Sequence, residues 1–429
     1  MKKYQLLKIG ASVTSCLLLA PAYALDLKLD ARAASEYTTN SGRASSNEIE
    51  EWVHKPGLLF RGEHEGPRIN FKADYRFQRR IYQEDFFKDE NVATGSGELY
   101  VNAIPGLLDF TATNSRTESA IRSINAESPD NRQETANTQA GPTLRFRTRG
   151  KDELQVQYLY GNRVSERTEN DSDSHTGVLR YVLNTSPINQ LNFELVKQEV
   201  QFENPNAPDL RSNTAQIQWD STQDAISWSF VGGYKETERD LNRDDINAAV
   251  AKLDLQWRLS ADRSLFVQAS RDVRDQSEVL GFGSTEFGQR LRADSDLNEV
   301  FRSNRITAGV SQKIGHTNFT LMLLSIDEDY EDVLRDTETQ GVILTANRRL
   351  NRLTNLSARL RYFKQDYTDQ GIDLDHYGAS VLVTRKMSRR LSVAGGVYYD
   401  ERDPQQSALA NFGYDEWLAT IRIDYKLIQ

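Results

Sequence analysis

The 429 residues carry 53 Lys and Arg against 62 Asp and Glu, a formal net charge of −9, which excludes a surface built on general basicity for nucleic acid. The one cysteine, Cys16, falls in a leader-like opening segment, so once that segment is removed no disulfide and no thiolate-held zinc or haem is expected. A mean hydropathy of −0.64 leaves no apolar run long enough for a membrane-crossing helix.

Residues 1–24 read as a secretory signal. Lys2, Lys3 and Lys8 precede the apolar Leu17-Leu18-Leu19, and Ala22-Tyr23-Ala24 has the small-x-small form of a cleavage site. Cleavage after Ala24 removes three lysines and no acids, taking the charge from −9 to −12.

From residue 25 onward one unit repeats: an alternating apolar and polar run, a short turn, a second run, then a longer polar connection. A first strand over 25–34 leads into a polar stretch. The clearest copy follows, with Ile69, Phe71, Ala73, Tyr75 and Phe77 on one wall and Arg68, Lys72, Asp74 and Arg76 on the other. Leu154, Val156, Tyr158 and Tyr160 oppose Gln155, Gln157 and Arg163 in the same way. So do Ala249, Ala251, Leu253, Leu255 and Trp257 against Lys252, Asp254, Gln256 and Arg258. The final strand sets Trp417, Ala419, Ile421, Ile423, Tyr425 and Leu427 against Thr420, Arg422, Asp424 and Lys426.

These runs last roughly nine to thirteen residues, longer than sandwich strands and about what a tilted strand needs to cross a bilayer. Short turns are expected near His64-Glu65-Gly66-Pro67, Pro105-Gly106, Gly150-Lys151-Asp152, Ser186-Pro187, Ser221-Thr222-Gln223-Asp224, Ser260-Ala261-Asp262, Gly315-His316, Asn351-Arg352 and Met387-Ser388-Arg389, each alternating with a longer connection. The longest connections are 115–137 and 272–300, for which two fates stay open, folding inward to narrow the pore or forming a mobile surface for an external partner. Strict alternation of short and long connections predicts an all-β chain: a transmembrane antiparallel up-and-down β-barrel of about 20 strands, between about 18 and 22, with short periplasmic turns and long external loops. With no linker or shift in composition, 25–429 is one outer-membrane domain, in contact with outer-membrane lipid and lipopolysaccharide.

Five tryptophans sit at expected strand ends, Trp219, Trp228 and Trp257 beside short turns and Trp52 and Trp417 beside long ones, as an interfacial aromatic girdle requires. Candidate lumen-lining cations are Arg68, Lys72, Arg76 and Arg80; Arg145, Arg147 and Arg149; and Arg359 with Arg361. In an acidic chain such inward ladders would guide an anionic solute or polymer; the plainer reading is a wet wall whose charges pair with acids such as Asp74, Asp254 and Asp424.

Acids crowd the long connections, at Glu166, Glu169, Asp171 and Asp173, at Asp240, Asp244 and Asp245, and at Asp327, Glu328, Asp329, Glu331 and Asp332. At a cell surface calcium or magnesium could bridge such oxygen ligands to lipopolysaccharide, but their spacing fits no calcium loop and solvated surface charge is the plainer account, so no metal and no cofactor is expected. His376 beside Asp373 and Asp375 is the nearest approach to a catalytic dyad, too weak to make an enzyme. Gly281-Phe282-Gly283 lacks the strand-to-helix setting of a nucleotide fingerprint.

Over its first quarter the chain resembles a known family. The strand 25–34, Ser35-Glu36-Tyr37-Thr38-Thr39-Asn40, Pro56-Gly57-Leu58-Leu59, Gly66-Pro67 and Asp74-Tyr75 followed by Tyr82 stand in the order seen in the porin-like outer-membrane β-barrels found with exopolysaccharide biosynthesis and exosortase (PEP-CTERM) systems. The resemblance implies a non-enzymatic barrel in exopolysaccharide export or surface assembly, with a polysaccharide and a periplasmic export apparatus as partners. Fold alone cannot supply that role. A general or anion-preferring diffusion porin, and a plugged barrel anchoring surface polymer through its loops, stay open beside it. The ending Tyr425-Lys426-Leu427-Ile428-Gln429 departs from the terminal aromatic usual in such barrels but keeps the alternation.

Overall fold

A computed structural model describes residues 26–122, 125–126, 128–148, 150–168, 170–241, 243–275, 300–331, 335–406 and 412–428. The expected leader, Arg149, Glu169, Asp332 and Gly281-Phe282-Gly283 lie outside the described residues. Twenty strands follow one another: β1 (Asp26–Thr38), β2 (Glu51–Glu65), β3 (Ile69–Tyr82), β4 (Glu90–Ile104), β5 (Leu108–Ala120), β6 (Arg132–Arg147), β7 (Glu153–Ser165), β8 (Ser172–Ser186), β9 (Asn189–Phe202) and β10 (Leu210–Thr222). The second half holds β11 (Ile226–Arg239), β12 (Ile246–Ser260), β13 (Arg263–Asp275), β14 (Val300–Ile314), β15 (Thr317–Tyr330), β16 (Thr337–Arg349), β17 (Thr354–Tyr367), β18 (Ile372–Lys386), β19 (Leu391–Pro404) and β20 (Tyr414–Ile428).

Each strand pairs antiparallel with its chain neighbours, and β20 pairs with β1, from Leu29↔Ile428 to Thr38↔Leu418, so the sheet closes on itself. Closure leaves no edge in the hydrocarbon, where an unpaired backbone group would cost several kcal/mol. The strands run 13 to 16 residues, longer than the sequence runs suggest. A crossing needs only about 9–11, so pairing continues past the membrane on the loop side. For the same reason the connection expected at 115–137 shrinks to 121–131, its flanks being ladder from Asn114↔Thr138 to Ala120↔Arg132.

Alternation sorts the side chains into two walls. Leu58, Phe77, Val156, Leu195, Ile217, Phe230, Leu323, Leu360 and Ile421 are exposed on the outer wall. The inner wall is mainly polar but carries apolar patches, one of them the buried Leu324, Ile326, Ile343 and Phe363, so it is less uniformly ionic than the sequence reading has it. Two prolines sit inside strands. Recorded pairing skips Pro56 on the β3 side and Pro142 on the β7 side, because proline brings no N–H to a ladder.

The ladder also opens at two seams on the loop side. Between β4 and β5 pairing stops at Gly95↔Arg116, although β5 and β6 stay paired up to Ala120↔Arg132. Gly95 has φ +143, and a Cβ there would stand 2.1 Å from the Asp74 carbonyl oxygen, so only glycine makes this bend. Above it, Glu118 and Arg132 belong by alternation to the outer face of β5–β6, yet both bond to inner-face residues of β3–β4. The top of the β5–β6 hairpin therefore leans inside the wall.

The second seam opens above Ala251↔Arg271, between β12 and β13. There the outer-face Val273 and Val300 pack in one buried cluster with the inner-face Ile246, Ala248, Val200 and Leu210. Lys235 donates to the Val273 carbonyl at 2.7 Å across the same gap.

The Gly95 bend gives a stability test. Gly95→Val should lower unfolding stability by about 3 kcal/mol through strain and collision with backbone. Gly177→Ala, where the nearest atom to a new Cβ is 4.0 Å away, should stay within about 0.5 kcal/mol of the parent. Urea unfolding in detergent micelles reads both, and equal midpoints for the two variants would refute the bend.

Candidate functional site

The candidate site is the lumen and its loop-side mouth. Inner-wall Arg61 and Asp74 pair at 3.0 Å, yet their side chains keep 55% and 58% of their accessible surface, which a dry core would not leave them. Lys72 stands opposite Glu63 and Glu98, and Arg76 opposite Leu59 and Thr94, on the same wall. Arg68 lies in the β2–β3 turn, where its carbonyl accepts from the Asn102 amide at 2.7 Å, and so marks the rim.

On β6, Arg145 is held by Asp109 and by Glu153 at 3.1 Å, while Arg147 stays exposed opposite Glu153. Arg359 lies opposite Thr345 and Ser380, and Arg361 donates to Asp400 at 2.7 Å. The cations singled out along the sequence are thus placed on the inner wall or its rim, Arg149 aside, but Arg80, Arg145 and Arg361 are matched by acids rather than forming bare ladders. Those acids come from neighbouring strands, and a one-strand pattern cannot show which residue lies across from it.

Arg80 is the clearest case. It donates from Nη1 to Glu90 at 2.9 Å and from Nη1 and Nη2 to Glu118 at 2.6 Å each. Arg132 closes the ring by bonding Glu90 and reaching the Tyr82 hydroxyl at 2.5 Å. Two guanidiniums and two carboxylates, with side-chain accessibilities of 9–21%, clasp the leaning hairpin to the wall. The Glu134 carboxylate accepts from the Ala93 amide, which has no partner on β5.

Past the clasp, the described residues Arg122, Asn125 and Ala126 gather about one side chain, that of Asn131. Asn131 accepts from the Arg122 amide at 2.9 Å and donates to the carbonyls of Arg122 and Ala126 at 2.8 and 2.9 Å. Arg167 grips the loop base through the carbonyls of Pro129 and Asp130, at 3.2 and 3.1 Å. The loop reaches across to the β1–β2 and β19–β20 connections, leaving a cleft of about 560 Å³ whose lining includes Arg43, Arg122, Asn125, Asp130 and Phe412. Arg43 is fixed from behind by Glu416 at 2.9 Å and Asp400 at 3.3 Å, with its guanidinium 5.3 Å from the Tyr414 ring centre. No sequence signal pointed to Arg43 or Arg122, since both sit in connections that only the closed barrel brings together.

Trp52, Trp219, Trp257 and Trp417 are exposed on the outer wall, and Trp228 shares it. Trp219 meets Trp228 edge-on at 4.6 Å, and Trp52 and Trp417 lie against Tyr37 and Tyr399 at 5.3 and 4.8 Å. His376 points to the inner wall, whereas Asp373 and Asp375 occupy the other face, so the dyad is not assembled. Asp375 instead accepts from the Tyr362 hydroxyl at 2.9 Å and from Gln405 at 2.6 Å. Several acids expected in the long connections are engaged one by one, Asp173 in β8 and Asp329 in β15 rather than in a connection: Asp171 caps the Ser165 amide, Asp173 accepts from Tyr160, and Asp329 and Glu331 flank Arg302. Among the described residues no cluster of three metal-binding side chains occurs.

Comparison with family models and with curated proteins finds no match. Among solved structures the chain is similar to OccK2 (OpdF) of Pseudomonas aeruginosa, at 12% identity, covering 94% of this chain and 98% of that one, with a TM-score of 0.41. It is also similar to the FrpB iron transporter of Neisseria meningitidis, at 9% identity, 94% and 82% coverage and a TM-score of 0.47. A third is the loop-deleted OmpT, an outer membrane protein of Vibrio cholerae, at 10% identity, 94% and 99% coverage and 0.39. These likenesses are of fold alone. The closed ladder, apolar exterior and solvated charged interior themselves define a membrane-spanning β-barrel of the outer-membrane type.

Removing one cation from the clasp leaves its acids under-compensated. Arg80→Gln should cost about 3 kcal/mol, and Arg80→Gln with Glu118→Gln less than the two single changes added together. Urea unfolding of the three variants measures the coupling, and simple additivity would show that the ring is no clasp.

Proposed function

We propose that the protein is a passive outer-membrane channel that prefers anions, its passage narrowed from the loop side by the leaning β5–β6 hairpin. One observation carries this: the inner wall is accessible to water and holds more basic than acidic side chains, although the whole chain is acidic at −9. Paired charges such as Arg145–Asp109 set local structure, while the excess of inner-wall cations over acids, to which Lys72 and Arg147 contribute, sets the sign of the potential a solute meets. The matched remainder keeps the preference modest.

A second reading, export or surface assembly of an exopolysaccharide beside a periplasmic apparatus, rests on the resemblance carried by residues 25–82. An acidic polymer would meet the same inner wall. Secretion that continues unchanged in a deletion strain would eliminate it.

The channel reading is tested in planar bilayers under a potassium chloride gradient. Purified protein should conduct steadily with a reversal potential of anion-selective sign, and Lys72→Glu with Arg147→Glu should move that potential toward cation selectivity. A silent membrane, or a cation-selective parent, would end the proposal.

A further inference from the structure

The cleft at the mouth has a chemistry that the channel reading does not require. Its lining includes two guanidiniums, Arg43 and Arg122, one carboxylate, Asp130, the polar Asn125 and Ser128, and one aromatic ring, Phe412. A site for bare inorganic anions gains nothing from a carboxylate or a phenyl ring. A guanidinium pairs with a carboxylate, an Asp or an amide takes sugar hydroxyls, and a ring covers an apolar sugar face.

The Arg43 guanidinium and the main chain of Arg122 are held in place before any ligand arrives. Arg43 is braced by Asp400 and Glu416, and those acids are themselves occupied, Asp400 by Arg361 at 2.7 Å and Tyr414 at 3.2 Å, Glu416 by Thr38 at 2.5 Å. The main chain of Arg122 is bound in both directions by Asn131. Arg335, in the β15–β16 connection, adds to the positive field here: burial, together with the field of Arg122, pushes its guanidinium below the ordinary arginine range. Asp400 and Glu416 therefore stand outside the lining, bracing Arg43, while Asp130 shares the lining with the two arginines. The volume of about 560 Å³ lies within the range of small-molecule sites and suits one or two sugar rings.

We infer that this cleft is a binding subsite for a carboxylated sugar, its carboxylate on Arg122 and Arg43, its hydroxyls on Asn125 and Asp130, and one ring face on Phe412. The inference rests on the channel reading for its purpose, since a subsite at the mouth would concentrate such sugars at the entrance. Its chemistry stands apart from that reading and is measured apart from it.

The test is calorimetric titration of the full-length protein in detergent with D-galacturonate, D-galactose and inorganic phosphate, run beside the bilayer measurement. Galacturonate should bind at least about tenfold more tightly than galactose, and phosphate should not displace it at equal concentration. Arg122→Gln should bring galacturonate down to the level of galactose, and Phe412→Ala should weaken both sugars alike. Both variants lie in loops outside the ladder, and retention of the heat-modifiable form on gels checks that they fold. Equal binding of the two sugars, displacement by phosphate, or binding indifferent to Arg122→Gln would overturn the subsite. Anion-selective conductance with no galacturonate binding would sink the subsite and leave the channel; binding by a protein that does not conduct would do the reverse.

Discussion

The structure depends on one constraint, that every backbone amide and carbonyl facing hydrocarbon must find its partner within the sheet. Twenty strands meet it by pairing in sequence and closing β20 onto β1. Period-two alternation then turns a pairing rule into two walls, because each residue that faces lipid is followed by one that faces the lumen. The constraint ends where water begins. Strands of 13 to 16 residues outrun the hydrocarbon, and both seams open near their loop ends. There an unpaired group can turn to a side chain, as the Ala93 amide does to Glu134 and the Val273 carbonyl to Lys235.

The two leaning hairpins are held by unlike forces. β13–β14 is fixed by apolar contact among Val273, Val300, Ile246 and Leu210, a bond that needs shape and little direction. β5–β6 is fixed by Arg80, Glu90, Glu118 and Arg132, whose attraction is directional and fails when one member is lost. Both place backbone where an open cylinder would have only solvent, and the mouth cleft exists because one of them brings loop 121–131 beside the β1–β2 and β19–β20 connections.

Much of the fold was legible from residue order. Arg68 to Gln78 alone shows the period, the nine short turns show the alternation of rims, and together they give the barrel and its strand number. What stayed hidden is what lies between strands. Register decides that Arg145 meets Asp109 and Glu153, and nothing local to 145–149 reveals it. The discounted dyad at His376 is separated for the opposite reason, since successive residues of a strand face opposite ways. The inward lean was legible only as one of two fates open to the connection at 115–137, because its cause, the bend at Gly95, looks in sequence like one more glycine in a strand, and only a φ of +143 gives it away. Connection lengths misled in a related manner: polar residues such as Ser115, Thr117 and Gln133 read as loop, but a wall that faces water accepts them as strand.

The seam beside β4 has one more consequence, for assembly. Glu90–Thr94 offers a run of backbone that β5 could take up by simple zippering beyond Gly95↔Arg116, and a nascent sheet zippers outward from its paired end. In that zipped form Glu118 and Arg132 would be turned away from Arg80, since they stand on the outer face of their hairpin. The clasp can close only with β3 to β6 all in place, and where it closes, ion pairing takes the place of ladder at the entrance.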